Sequence, residues 1–420
     1  MTKSKINIYK VIFVVLLFVI TAVPIFEVHF LLYFGLTILL LLNNDYSISK
    51  FTFGLISILL IIVLIGIISS LFFQKTLYDW IKDILYFSKP IFGITLGYLL
   101  LKKINNKYFF IKSIVYLAII FAVYHILGVL FNTNFSTDSI NDIRNANGLS
   151  NPVELLALIV LLTSYRYDYL KIEKRKVFYI FILVTSLILY FSRTMLVAFA
   201  IMMLATNGYA KLTTKGLKYG LVFILISGLF YSYLFSTEFK RDKPGIESFL
   251  YKMKIAPSEI FLPTKNIDLK DHKKLWDHWR AYEVSMAYKQ MKIKPLSFLN
   301  GYGFGSKVDL KFVAPLNEQG IRYIPILHNG YFNVFFKTGL IGFFFYLSFL
   351  LLLYIQSYKN KISTDEQVVR NFISALGLYF IFTSLIITGI YNLEENYTFI
   401  LGGFLFLLSK HTTNQLSNNN

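Results

Sequence analysis

A lone histidine heads a long apolar run in this chain, as His328-Asn329-Gly330-Tyr331 leading to Lys337-Thr338-Gly339-Leu340-Ile341-Gly342. Histidine titrates near neutrality, so it can accept a proton at working pH. A helix-cap or interfacial histidine is the other reading. Phe332, Phe335, Gly339 and Gly342 fall on one helical face, and the two glycines are expected to admit a closely packed helix. Three arginines stand out beside it. Arg280 lies in residues 271–292, where Leu275, Trp276, Trp279, Tyr282 and Met286 recur at helical spacing. Arg193 sits in the tight turn Ser192-Arg193-Thr194, and Arg144 in a polar loop over residues 132–151. A guanidinium grips phosphate oxygens with two parallel hydrogen bonds and keeps its charge. The plainer readings are that Arg280 pairs with Asp277 or Glu283 on its own helix, that Arg193 anchors at the interface, and that Arg144 is solvated.

Asn300-Gly301-Tyr302-Gly303-Phe304-Gly305 is a glycine-rich turn. It either reverses the chain or brings backbone N–H groups, at Tyr302, Gly303 and Gly305, to an anion. Asn329 adds an amide beside the histidine. No Asp-x-Asp or His-Glu-x-x-His occurs, and His272 and His278 are flanked by lysines. The reading is therefore of no metal and no cofactor.

These groups need a scaffold, and composition names its class. Of 420 residues, 56% are hydrophobic, 18% aromatic and 15% charged, with no cysteine. Disulfides and thiol chemistry are excluded. Several apolar runs are long enough to cross a bilayer. The fold class is all-α and polytopic, with about twelve transmembrane helices. The net charge of +19 comes from basic residues between the apolar runs. It therefore reads as membrane topology and not as nucleic-acid binding. Residues 1–235 carry helices one to nine, and 236–327 form one large loop. Residues 328–409 carry helices ten to twelve, and 410–420 form a tail expected to lack structure.

Lys102, Lys103 and Lys107, then Arg166, Lys171, Lys174, Arg175 and Lys176, then Lys211, Lys215 and Lys218, and finally Lys359, Lys361 and Arg370 fall in alternate loops. Counted from a cytoplasmic N-terminus, those clusters lie inside. Arg144, Arg193, the long loop and His328 then lie together on the outer face. In the fourth span Lys82 and Asp83 are expected to reach the interface, and Lys89 to face helices or a wet cavity. His125 reads as a packing histidine.

Four landmarks in order resemble the bacterial O-antigen polymerase and O-antigen ligase superfamily. They are Gly148 with Asn151-Pro152, then Ser192-Arg193-Thr194, then Trp279-Arg280-Ala281-Tyr282 with Pro295-Leu296 and Gly301 to Gly305, and lastly the run from His328 to Gly342. Lys337 stands where an acidic or other polar residue often precedes the glycines. The resemblance implies a membrane glycosyltransferase of C-type (GT-C-like) architecture in the bacterial inner membrane, active on the periplasmic side. Its donor would be a glycan on undecaprenyl diphosphate and its acceptor a lipid-linked glycan, with a chain-length regulator as a candidate partner. It implies His328 as the catalytic base, with Arg280 and Arg193 on the donor diphosphate. Nearby arginines would push the histidine pKa down. A polymerase is preferred because the glycine turn looks closer to that branch. A ligase acting on lipid A-core is the alternative. A transporter or flippase fits less well, because no inverted repeat appears and the polar residues cluster at one face.

Overall fold

The structure is a computed structural model that describes residues 3–42, 47–134, 138–167, 175–241, 243, 246–261, 272–315, 320–359 and 363–418. Lys171, Lys174, Asp271 and Lys361 lie outside the described residues. Among the described residues the regular structure is helical apart from one hairpin. Its first helices are α1 (Lys3–Ala22), α2 (Phe26–Leu42), α3 (Lys50–Ser69), α4 (Leu77–Ile104) and α5 (Lys107–Asn132). The short α6 (Ile140–Asn145) precedes α7 (Asn151–Thr163), α8 (Lys176–Leu189), α9 (Arg193–Thr206) and α10 (Thr214–Ser236). Then come α11 (Ile246–Phe261), α12 (His272–Asp277), α13 (Trp279–Ile293) and α14 (Ser297–Asn300). The antiparallel strands β1 (Val308–Ala314) and β2 (Ile321–Ile324) follow. The last helices are α15 (Gly330–Tyr354), α16 (Thr364–Ile386) and α17 (Tyr397–Asn418).

The apolar runs of the sequence coincide with α1–α5, α7–α10 and α15–α17. Among the described residues six helices are long and apolar enough to cross a membrane: α3 with its 3-10 extension, α4, α5, α10, α15 with its extension, and α16. Helices α7, α8 and α9 are apolar but have 13, 14 and 14 residues. At about 1.5 Å per residue each covers roughly 20 Å, short of the ~30 Å hydrocarbon layer. The tail expected to lack structure instead continues α17, since residues 410–418 contain no proline or glycine to stop it.

Local chemistry sets the helix ends. Ser49 accepts from Thr52 N at 3.2 Å, Thr76 from Asp79 N at 3.1 Å and Asn106 from Phe109 N at 2.9 Å, each at a helix start. Pro152 occupies the first turn of α7, where a missing N–H costs nothing. The main core runs through α1–α5, α7 and α15–α17. Helices α4 and α17 approach closely at Gly97 and Gly402, where a side chain would meet the Phe399 and Ile94 carbonyls.

The long segment between α10 and α15 has a second core of its own. Leu275, Trp279, Tyr282, Met286, Val308 and Leu310 belong to it. The helical stretch expected over residues 271–292 breaks at His278 into α12 and α13. The β hairpin is a further departure from an all-helical reading. It holds α13 in place: Tyr282 donates its hydroxyl to Leu310 O at 2.6 Å, and Gln290 Nε2 donates to Lys307 O at 3.0 Å.

The glycine turn meets α15 at a break. Gly339 has φ 65° and ψ −167°, outside helical space, so the N–H groups beyond it cannot reach the preceding turn. The orphaned carbonyls of Phe336 and Lys337 accept instead from Tyr302 N at 2.8 Å and Gly303 N at 2.9 Å. Phe304 N donates to Gly66 O of α3 at 3.1 Å, and Gly305 N to Asp83 Oδ2 at 2.6 Å. Gly303, at φ 76°, lies against the Ser70 backbone. The expected role of Tyr302, Gly303 and Gly305 in substrate binding is thus corrected. Their N–H groups are buried and consumed in joining the loop to the bundle.

Two further expectations change for the same reason. Gly339 does admit a close helix, docking on the Leu299–Asn300 backbone of α14, but Gly342 faces Thr338 of its own helix, so the two glycines do not share one packing face. Asp83 does not reach the interface: it is buried and paired with Lys337, Nζ to Oδ2 at 2.5 Å. Lys337 also donates to Ser306 O, so its role is to neutralise Asp83 and tie α4, α15 and the turn together. Lys89 is buried and donates to Leu393 O at 2.5 Å, so it faces the protein. His125 packs as expected, with Nδ1 2.9 Å from Ser186 Oγ and its ring 4.0 Å from that of Tyr190.

Candidate active site

The site forms at one end of the bundle, from α6, the α8–α9 turn, α11, α12, α13 and the start of α15. Ser192 caps α9 by accepting from Met195 N at 3.4 Å, which places Arg193 as the first helical residue. Phe191 before it takes a left-handed turn at φ 44°. Arg144 closes the end of α8, donating from Nε to Tyr190 O and from Nη2 to Phe191 O, both at 2.8 Å.

A cavity of about 340 Å³ opens here. Five basic side chains line it: Arg144, Arg193, Arg241, Lys252 and Arg280. Its acidic groups are Glu259 and Asp277. Glu259 spans two arginines: Oε1 is 2.5 Å from Arg280 Nη1 and Oε2 is 3.3 Å from Arg193 Nη2. Arg193 also donates to Lys252 O. Arg241 Nη1 meets Asp277 Oδ2 at 3.0 Å, and Tyr251 donates its hydroxyl to the same oxygen at 2.8 Å. Arg280 therefore pairs across to α11, and not with Asp277 or Glu283 on its own helix. Burial, and then Arg144, Arg193 and Arg241, hold the Lys252 pKa below the ordinary lysine value. Burial and Arg193 do the same to Arg144. The cavity carries a concentrated positive field.

One helical turn connects this cavity to the histidine. Arg280 and Glu283 are three residues apart on α13, so they are neighbours on its surface. The Glu283 side chain is 1% exposed. It accepts from His328 N at 2.9 Å and lies 2.9 and 3.1 Å from His328 Nδ1. With Nδ1 donating to the carboxylate, the lone pair resides on Nε2. The histidine side chain is 52% exposed, so it is presented outward and not packed away. A buried carboxylate thus fixes the tautomer of the ring and leaves Nε2 free of that contact. Asn329, expected to meet substrate, instead caps α15 by accepting from Phe332 N at 3.0 Å.

The expected downward pKa shift of His328 is corrected as well. The hydrogen bond that His328 donates to Glu283 raises it; burial and Arg280 oppose this without prevailing. A raised folded-state pKa adds stability below the unfolded value and loses it as pH climbs through the folded value. For catalysis the neutral ring must be the active form, so the rate should rise with pH through this titration. Glu283→Gln removes the charge that raises the pKa. The acid limb of the pH–rate profile should then move to lower pH, with a slower plateau because the ring is held less firmly. An unmoved limb would mean that another group controls it.

Of the residues that line or adjoin this cavity, the sequence singled out Arg144, Arg193, Arg280 and His328 and did not single out Glu283, Glu259, Arg241 and Lys252. Glu283 had a signal, since it is a charge on the apolar Trp279–Tyr282–Met286 face. The other three carried none.

Residues 178–347 match the family model described as O-Antigen ligase. No curated protein matches the chain. The matched span, less than half of the chain, holds Arg193, Glu259, Arg280, Glu283 and His328, so these residues lie in a stretch similar to the O-antigen ligase family.

Proposed function

We propose that the protein is a surface-polysaccharide polymerase of the bacterial inner membrane. It transfers a glycan from undecaprenyl diphosphate to a lipid-linked repeat unit, without a metal, on the periplasmic side of a bundle of about twelve spans with C-type architecture. The observation that carries this is a pair of joined cavities. The basic cavity adjoins an apolar one of about 210 Å³, and the two share Arg193, Thr194, Glu259 and Arg280. Val197, Met253, Ala256, Ile260 and Phe382 line the apolar side. A positive pocket continuous with an apolar one suits an anionic head on a hydrocarbon tail. The Glu259 carboxylate between two guanidinia marks where a phosphate edge would sit.

Sugar transfer needs an acceptor hydroxyl made nucleophilic and a leaving diphosphate whose charge is stabilised. His328 Nε2 would take the hydroxyl proton while Glu283 holds the resulting imidazolium. Arg280 and Arg193 would hold the leaving diphosphate, with Arg144, Arg241 and Lys252 adding to the field. Among the charged groups buried in the bundle, Asp83 pairs with Lys337, Arg370 pairs with Glu366 and Lys89 donates to a carbonyl, which weighs against a flippase passage.

The matched family's description favours a second acceptor, lipid A-core, and hence a ligase; the glycine-turn pattern favours the polymerase. Deleting the gene and resolving the surface glycolipid by gel separates them. A polymerase mutant should show core carrying one repeat unit. Bare core with long glycan retained on the lipid carrier would make the protein a ligase, and an unaltered ladder would end both readings.

A further inference from the structure

A second polar cavity, of about 270 Å³, lies beside the basic one and shares Arg144 with it. It is walled by the α6–α7 connection, Tyr190 and the segment from Ile387 to Asn396 that leads into α17. Most of that wall lies outside residues 178–347, and the transfer chemistry above does not use it. Its size is near the lower end of the roughly 300–1,000 Å³ usual for small-molecule sites, which suits one or two rings.

Its chemistry differs from that of its neighbour. Four asparagines line it, Asn145, Asn151, Asn392 and Asn396, with Glu394 and Glu395. Amides offer donors and acceptors together, which is what adjacent sugar hydroxyls require. The two glutamates disfavour a phosphate or an acidic sugar here. Tyr190 and Tyr379 supply ring surfaces.

The walls are built and not incidental. Tyr190 donates its hydroxyl to Glu154 Oε1 at 3.0 Å and accepts from Ser150 N at 3.2 Å. Glu395 Oε2 accepts from Thr398 N at 3.1 Å, fixing the start of α17. Asn396 is 4% exposed and its Oδ1 has no partner in the protein. The Asn151 Oδ1 is likewise buried and unpartnered. Buried polar atoms are almost always satisfied, so two on one cavity wall call for a hydrogen-bonding occupant.

Building on the proposed function, we infer that this cavity is a subsite for an uncharged sugar ring of a lipid-linked glycan, held by Asn151 and Asn396 beside the diphosphate cavity. The ring comes either from the donor, next to its diphosphate, or from the acceptor.

The test uses the full-length protein in detergent with two probes. One is sugar-free undecaprenyl diphosphate. The other is the lipid-diphosphate glycan extracted from the native bacterium lacking this gene. Asn151→Ala and Asn396→Ala should bind the first like the unaltered protein and the second about ten-fold more weakly, the effect of losing a hydrogen-bonding partner. In turnover, a rise in donor KM alone assigns the ring to the donor, and a rise in acceptor KM alone assigns it to the acceptor. Both results support the subsite. Unchanged glycan affinity together with unchanged KM for both substrates would overturn it. Asn145→Ala, at an exposed position, repeats the measurement where folding is not at risk, and normal binding of the sugar-free lipid reports intact structure. Failure of the unaltered protein to bind sugar-free undecaprenyl diphosphate would instead overturn the functional reading beneath it.

Discussion

His328→Gln is expected to abolish visible product while leaving the protein normally inserted in the membrane. General-base assistance contributes roughly a hundred- to ten-thousand-fold in rate, and glutamine cannot take a proton near neutral pH. The side chain is half exposed and pairs with Glu283, so the replacement opens no core void. Glutamine can still donate to the Glu283 carboxylate, which keeps that charge satisfied. His328→Ala should lose as much activity but leave Glu283 buried with one fewer donor, so it should also unfold at lower temperature. The measurement is turnover in purified enzyme with lipid-diphosphate glycan, alongside binding of sugar-free undecaprenyl diphosphate. Lost turnover with retained binding identifies the base. Near-normal turnover by His328→Gln would reduce the Glu283–His328 pair to an anchor between α13 and α15. Turnover of the unaltered protein should also survive EDTA.

Much of the scaffold was legible because membrane helices announce themselves locally. Apolar runs, basic loops and capping residues such as Ser49, Thr76 and Ser192 are short-range signals. His328 and the three arginines were legible because a charge or a histidine at the head of an apolar run is conspicuous. What was not legible depends on distant pairing. Asp83 and Lys337 are 254 positions apart, so neither could be seen to neutralise the other. The glycine turn offered backbone N–H groups to any acceptor, and nothing local revealed that a break at Gly339 would supply the carbonyls. The shift of His328 turned on Glu283, 45 positions away, against the arginines nearer to mind. The hairpin did leave a trace. Val308, Leu310 and Phe312 alternate with Asp309 and Lys311, a two-residue period that the search for helices passed over.

Arg280→Lys and Arg193→Lys are expected to cut turnover sharply although the net charge is unchanged. A guanidinium presents a planar pair of donors to two oxygens of one anion, and an ammonium presents a point charge on a flexible stem. In this site two guanidinia already converge on one anion, since Glu259 meets Arg280 through one oxygen and Arg193 through the other. Losing a preorganised donor aimed at developing negative charge costs on the order of a hundred- to a thousand-fold in kcat. Arg280 is the more enclosed of the two, with its side chain 18% exposed against 25% for Arg193, so its replacement should cost more. The two act on one anion, so the double variant should lose less than the product of the single losses. The effect should fall mainly on kcat if the forks tighten as diphosphate leaves, with protein level and the pH limb set by His328 little altered. Full activity in both lysine variants would return these arginines to a structural role, holding α11 through Glu259 against α9 and α13.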